Sequence, residues 1–325
     1  MRAWRRMDWG TFSRVFALLA MGIILSFTAP GFPTLTNLLN VARQASLLLV
    51  LSSGMTMVIL LGGTDLSVGS TAALSSCLAA PFFLRDAPTA GLLIGSLVGL
   101  GTGAMCGLLN GLMVSKIGLP PFVATYGMNQ VARGAALAYM AGNITYGFKP
   151  AFRFLATGNL GQVPMLVLLA ALVFAIFHFV LNRTVFGRQV YVVGARPSAA
   201  AFSGISVPGT ILKVYLVNGL VAALAGLVFI SRLNAAEAGL GEPFALQAIA
   251  AVAIGGTSFR GGIGGIGGTV VGVLIMTLLT NAMNLLGVST LWQTAVTGAV
   301  ILLAVLLDRT LTGGEAAGGR GARTH

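Results

Sequence analysis

The chain is a succession of apolar stretches, each near twenty residues long, joined by short polar connections, and this repeat constrains its fold more than any other feature. A bilayer's hydrocarbon core is about 30 Å thick, which a helix of roughly 20 apolar residues spans. Runs near that length fall at 15–29, 38–61, 66–84, 90–115, 121–141, 163–181, 211–231, 244–257, 263–286 and 290–307. Of the 325 residues, 56% are hydrophobic and only 8% charged, against about 25% charged in soluble domains. The expected fold class is therefore an all-α polytopic membrane protein with about ten transmembrane helices.

The formal net charge of +12 does not point to nucleic acid, whose binders gather cations on one solvated face. Here most cations flank apolar runs. With ten spans and an inside start, 13 of the 19 Lys and Arg lie on the cytoplasmic side and five on the other, with Arg133 inside the fifth span. That asymmetry follows the positive-inside rule and puts both termini in the cytoplasm. The domain reading is a cytoplasmic N-terminal segment 1–14, a transmembrane domain 15–308, and a Gly-rich polar tail 309–325 expected to be disordered. The basic-then-apolar start imitates a secretory signal, but Pro30 directly follows the place where cleavage would fall, so an uncleaved first span is expected. Cys77 and Cys106 lie inside spans as small apolar packers, with no disulfide or metal site implied.

Two glycine patterns differ in kind. Gly91, Gly95, Gly99, Gly103, Gly107 and Gly111 recur every four residues, which keeps them on one stripe of a helix and marks a close helix–helix seam. The cluster from Gly255 to Gly272 is too glycine-dense to begin as regular helix. Irregular backbone at membrane depth survives only where protein or a water-filled cavity covers it. Its GGT matches Gly62–Thr64, too short a match to establish an internal repeat.

Of the connections, 182–210 is the longest on the cytoplasmic side. It holds a short helix, Pro197–Phe202, with Pro at the start and Gly204 as the stop, suited to docking a cytoplasmic partner. On the outer side, 142–162 mixes aromatics with Lys149 and Arg153, and 231–243 contributes Glu237 and Glu242. Both faces suit contact with a soluble donor protein, and the aromatics suit interfacial anchoring equally well. There is no G-x-x-x-x-G-K-[ST] loop and no HExxH, and His178 stands alone on an apolar span. No catalytic constellation emerges, so an enzyme is not expected.

The stretch GGTDLSVGS at 62–70 sets a carboxylate, Asp65, between two apolar spans. One reading makes Asp65 a cap, accepting from backbone N–H groups at the positive end of the following helix. The other has Asp65, Ser67 and Ser70 facing a pathway or gate, the suspicion that ionisable groups in a membrane protein attract. Arg133 invites the same pair of readings: a stem snorkelling to the outer interface, which is favoured, or a pathway role. Asn110, Asn129, Gln130, Asn218, Asn281, Asn284 and Gln293 lie in spans, where interhelical hydrogen bonding is the default.

Four stretches together carry a family likeness: GGTDLSVGS at 62–70, GLLNGLMVSKIGLPPFVATYGMNQVARG at 107–134, FGRQVYVVGARPSAAAFSGISV at 186–207 and AIAAVAIGGTSFRGGIGGIGGTVVGVL at 248–274. Over roughly 35–308 the chain resembles the membrane permeases of ribose-type ABC importers, which carry monosaccharides and related small polar solutes. The resemblance implies about ten helices per subunit and a second permease subunit, as a homodimer or with a related paralogue. It also implies a cytoplasmic ABC ATPase and an extracytoplasmic sugar-binding protein at the bacterial inner membrane. ATP is then used by the partner, and this chain needs no cofactor. The cytoplasmic segment matches the family's coupling loop, so Gly194, Ala199, Ala200, Ser203, Gly204 and Ile205 carry over as ATPase-docking candidates, while Asp65, Ser67, Ser70, Asn110 and Arg133 are the pathway or gate candidates. The chain departs from the pattern at Ala195 and Arg196, where the family often has Gly-Asn, and at Ser206, a common Asn. The rival class, a secondary transporter or channel working without an ATPase, normally places ionisable groups at mid-membrane, and few are found here.

Overall fold

The computed structural model describes residues 9–318. In chain order its helices are α1 (Trp9–Thr28), α2 (Leu35–Leu60), α3 (Val68–Ala79), α4 (Gly91–Leu112), α5 (Pro121–Met140), α6 (Pro150–Thr157), α7 (Met165–Arg183), α8 (Val185–Ala195), α9 (Pro197–Phe202), α10 (Val207–Leu233), α11 (Phe244–Ile254), α12 (Ile266–Leu285) and α13 (Thr290–Gly318). Three of these, α6, α8 and α9, occupy connections; the others coincide with the apolar runs. Among the described residues, five stretches are long and apolar enough to cross a membrane: α2, α4 with its continuation to Ile117, α7, α10 and α12. Helix α5 has the length but carries Asn129, Gln130 and Arg133 in its middle turns.

Helices α2 and α10 form the centre. About three quarters of their apolar windows are buried, against about a third for α4 and α7. Helix α10 lies along α4, α3 and α2; α12 lies on α2 and α11; α5 lies on α3 and α7 on α2. The glycine ladder of α4 is the seam expected from its spacing. A Cβ on Gly103 would strike the carbonyl oxygen of Gly219 on α10, and one on Gly107 would come within 3.1 Å of the Gly219 Cα. The contact is reciprocal, since a Cβ on Gly219 would lie 2.8 Å from the Gly107 Cα. Gly101, off the stripe, faces open space. Lipid tails offer no hydrophobic drive between helices, so such backbone contact is what binds them.

Polar staples supplement it. The Asn37 and Asn281 amides exchange hydrogen bonds of 3.1 and 2.8 Å between α2 and α12, and the Thr56 and Thr269 hydroxyls meet at 2.8 Å nearer the other end. Asn281 thus makes the interhelical bond expected of it, and Asn284 accepts from Gln293 at 2.8 Å. At the end holding the 142–162 connection, Phe83 stacks on Phe152 at 3.8 Å and meets Phe148 edge-on. Phe148 and Phe152 are buried and plug this end of the bundle, whereas Tyr146 and Phe154 are exposed. Strand β1 (Thr145–Tyr146) pairs antiparallel with β4 (Ala235–Ala236), closing that end over α10; a second small ribbon joins β2 (Asn159–Leu160) to β3 (Val163–Pro164).

Several sequence boundaries shift. Helix α1 starts at Trp9, within the segment 1–14 read as a separate N-terminal piece, because Phe12 and Val15 extend its apolar run; residues 1–8 lie outside the described residues. Helix α13 runs on to Gly318, past residue 309 where the tail was expected to begin; residues 319–325 lie outside the described residues. Helix α8 was not foreseen. Its Thr184 cap accepts from the Gly187 N–H at 3.1 Å, and Gly187, Val190, Val193 and Gly194 form its buried stripe.

Candidate functional site: a polar joint, a groove and a docking helix

Helix α2 ends at Leu60, and Gly62, at φ +77°, reverses the chain. Residues 61–67 then run without regular helix inside the bundle before α3 begins. Buried irregular backbone must find partners, and three neighbouring helices supply them. Asp65, only 1% exposed, accepts at Oδ1 from the Ser67 N–H (2.8 Å) and Ser67 Oγ (2.6 Å), and at Oδ2 from Asn218 Nδ2 on α10 (2.8 Å). Ser67 Oγ in turn accepts from Asn110 Nδ2 on α4 at 2.8 Å. The Thr64 carbonyl accepts from Tyr215 Oη at 3.3 Å, and Thr125 Oγ1 on α5 accepts from the Leu66 N–H at 3.2 Å. Asp65 therefore bonds the backbone just ahead of α3, as a cap does, although Ser67 holds the N-cap position. Both its oxygens are occupied and it faces neighbouring helices. Asp65, Ser67 and Asn110 come together in this joint, each buried.

The other two candidates lie on open space. A groove of about 290 Å³ runs between the start of α3, the middle of α5 and the segment leading into α11, with Ser70, Tyr126, Asn129, Arg133 and Glu242 on its walls. Arg133 Nη1 reaches Glu242 Oε1 at 2.8 Å. Arg133 thus pairs with a carboxylate across the groove, and both side chains keep part of their surface open. That guanidinium, by hydrogen bond and charge, holds the Glu242 carboxyl below the usual carboxylate range. Gly241, at φ +84°, brings the segment onto α3: its added Cβ would lie 2.6 Å from the Gly69 carbonyl oxygen. Only glycines at both positions permit this approach, which sets Glu242 opposite Arg133.

The cytoplasm-assigned segment folds as read, with α9 at Pro197–Phe202 and Gly204 at φ +77° closing it. Ala199, Ser203 and Gly204 are exposed and Ile205 is half-buried, whereas Gly194 and Ala200 are buried. Gly194 faces inward: a Cβ there would strike the Leu60 carbonyl oxygen and come within 3.0 Å of the Gly262 nitrogen. The Gly262 N–H itself donates to Leu60 O at 2.8 Å. Three glycine-bearing segments, at 60–62, 194 and 261–262, thus meet backbone to backbone beside the Asp65 joint.

Sequence reasoning did not place four side chains where the structure puts them. Phe202 is 93% exposed on α9; an aromatic on a helix already read as a docking element was a visible signal. Asn218 was set among the general bonding residues, and only the fold shows Asp65 as its partner. Tyr126 and Glu242 reach the groove through the seating of the 237–243 segment, which no local pattern encodes. Among the described residues no group of three His, Cys, Asp or Glu is placed to hold a metal.

Comparison with known proteins fits this architecture. A family described as the permease component of branched-chain amino acid transport systems matches residues 37–305. The ribose import permease of Bacillus subtilis (strain 168) is 42% identical over 302 residues, covering 92% of each chain. That of Escherichia coli (strain K12) is 39% identical, covering 90% of this chain and 92% of its own. The D-allose transport system permease of Escherichia coli (strain K12) is 38% identical over 94% and 93%. No solved structure matches the chain. With a match of this extent and relatives this near, the chain belongs to the ABC importer permease family, among its ribose-type members.

Proposed function

We propose that this chain is the membrane subunit of an ATP-driven importer that carries a monosaccharide or similar small polar solute across the bacterial inner membrane. It crosses the bilayer ten times with both termini cytoplasmic. It pairs with a second permease subunit, docks an ABC ATPase through α9, and receives solute from a binding protein on the opposite face. The solute class follows from relatives named for ribose and allose.

The observation that carries this reading is the link from α9 to the bundle. The exposed Phe202 offers a partner an apolar anchor, and aromatic anchors in fully desolvated pockets dominate protein interfaces. Eight residues earlier, Gly194 lies against Leu60, where side chains cannot cushion relative motion. A push on α9 is therefore delivered through α8 to the end of α2 and the Asp65 joint, to which α3, α4 and α10 are bonded. ATP-driven closure of the ATPases would move these helices together and change the side to which the pathway opens.

The test is Gly194→Val in the reconstituted complex of permease, ATPase and binding protein. The added side chain parts α8 from α2, so uptake should fall at least tenfold while ATPase docking persists. Unchanged uptake would remove this contact from the mechanism.

A further inference from the structure

The α3–α5–α11 groove has properties that packing does not require. Helix α5 buries a stripe of Ala124, Thr125, Met128, Ala132 and Ala136 and turns Asn129, Gln130 and Arg133 outward from it. Within a bilayer such groups do not face lipid; they face protein or water. The segment 237–243 is irregular and drawn down beside Gly69, so the Arg133–Glu242 pair sits by the middle turns of α5 instead of at its end. A surface salt bridge there would be worth little, yet two glycines are committed to seating the chain so that it forms.

We propose that this groove is a binding site for one neutral, polyhydroxylated solute of monosaccharide size; the assignment rests on the importer reading above. Each hydroxyl of such a solute donates one hydrogen bond and accepts others. Arg133 supplies donors in a planar fork, Glu242 supplies acceptors, and Asn129 supplies both. The charges of the pair cancel, so a neutral solute exchanges hydrogen bonds with it without leaving a net charge beside it. Tyr126, Leu66 and Leu246 give apolar surface for the C–H face of a sugar ring. At about 290 Å³ the groove is at the lower end of ligand pockets, which run from roughly 300 Å³ upward. Its floor is tied to the bonded joint: the Leu66 N–H donates to Thr125 Oγ1 at 3.2 Å, and Ser70 Oγ donates to the Ser67 carbonyl at 3.0 Å, leaving the Ser70 lone pairs for the groove.

The experiment compares wild type with Asn129→Ala, Tyr126→Ala and Glu242→Gln in proteoliposomes holding the ATPase and binding protein. It measures uptake of radiolabelled ribose, allose and fructose, competition by ribonate as an anionic analogue, and ATPase stimulation by loaded binding protein. Asn129→Ala and Tyr126→Ala should lower transport efficiency at least tenfold and change the sugar ranking, with stimulated ATPase kept within twofold. Glu242→Gln, which leaves Arg133 uncompensated, should make ribonate a competitor where it is none for wild type. Variants that keep wild-type efficiency and ranking would overturn the site, as would uptake, ATPase and thermal stability falling together. If wild type itself shows no ATP-dependent uptake of any sugar in a broad panel, the importer reading fails; if wild type imports and the variants match it, the groove alone fails.

Discussion

Replacing Asn218 with Leu removes the donor that α10 gives to Asp65 while keeping the branching of the side chain; its extra bulk is common to both arms of the cycle below and cancels. Asp65 Oδ2 then loses its 2.8 Å bond in a place where the carboxylate is 1% exposed. A hydrogen bond to a charged group contributes about 1.5–3 kcal/mol, and stripping a buried charge of a partner carries the cost to about 3 kcal/mol or above. Asp65→Asn should be mild by comparison. Its oxygen still accepts from Ser67, and a flip of the Asn218 amide presents Oδ1 to the new NH₂ group. Asn218 Oδ1 has no partner among the described residues, so the flip breaks no bond. In the Asp65→Asn background, Asn218→Leu removes only a neutral bond, about 1 kcal/mol. A double-mutant cycle by unfolding in mixed detergent micelles should therefore show coupling of about 2 kcal/mol. Coupling below about 0.5 kcal/mol would refute the inference, drawn from the three bonds its two oxygens accept, that Asp65 is held by α10 as a charged acceptor. Near-normal uptake by Asp65→Asn would also exclude a charge-dependent gate at this position.

Other perturbations follow from the same geometry. Gly219→Ala must part α10 from α4 and should cost about 1–3 kcal/mol by overpacking, while Gly101→Ala, facing open space, should hold the unfolding midpoint or raise it, since Ala favours helix over Gly. Phe202→Ala should leave the chain's stability within about 0.5 kcal/mol, since the ring is 93% exposed, yet weaken ATPase association at least tenfold in a pull-down titration. The Arg133–Glu242 pair should be pH-dependent. Because the folded carboxyl titrates below its ordinary value, the pair's contribution is complete above the unfolded Glu pKa and lost as pH falls through the folded one. Wild type should lose stability relative to Glu242→Gln over that acidic window, and a constant difference would show that the pair contributes nothing.

The parts of the structure legible in the sequence were those set by local spacing. The four-residue glycine ladder announced a seam because a helix repeats at nearly that interval, and the seam is where α4 meets α10. Helix α9 was bounded by Pro197 and Gly204, whose backbone preferences act without neighbours. Asp65 was recognisable as a cap from Ser67 two residues on. What the sequence withheld lies between elements distant in the chain. Asn218 is paired with Asp65 across more than 150 residues, and Arg133 with Glu242 across more than 100. Helix α8 was missed although its stripe is regular, because eleven residues without strong hydropathy read as a connection. The buried Gly194 was assigned to a partner because the likeness marks where the coupling segment lies, not which way each residue faces.

The central claim is that this bundle has no energy source of its own and is driven through α9. The direct measurement is sugar accumulation in sealed vesicles holding the chain alone, under imposed proton or sodium gradients, beside vesicles that also hold the ATPase, the binding protein and ATP. Accumulation only in the complete, ATP-supplied vesicles is the expected result. Concentrative uptake by the chain alone would contradict it.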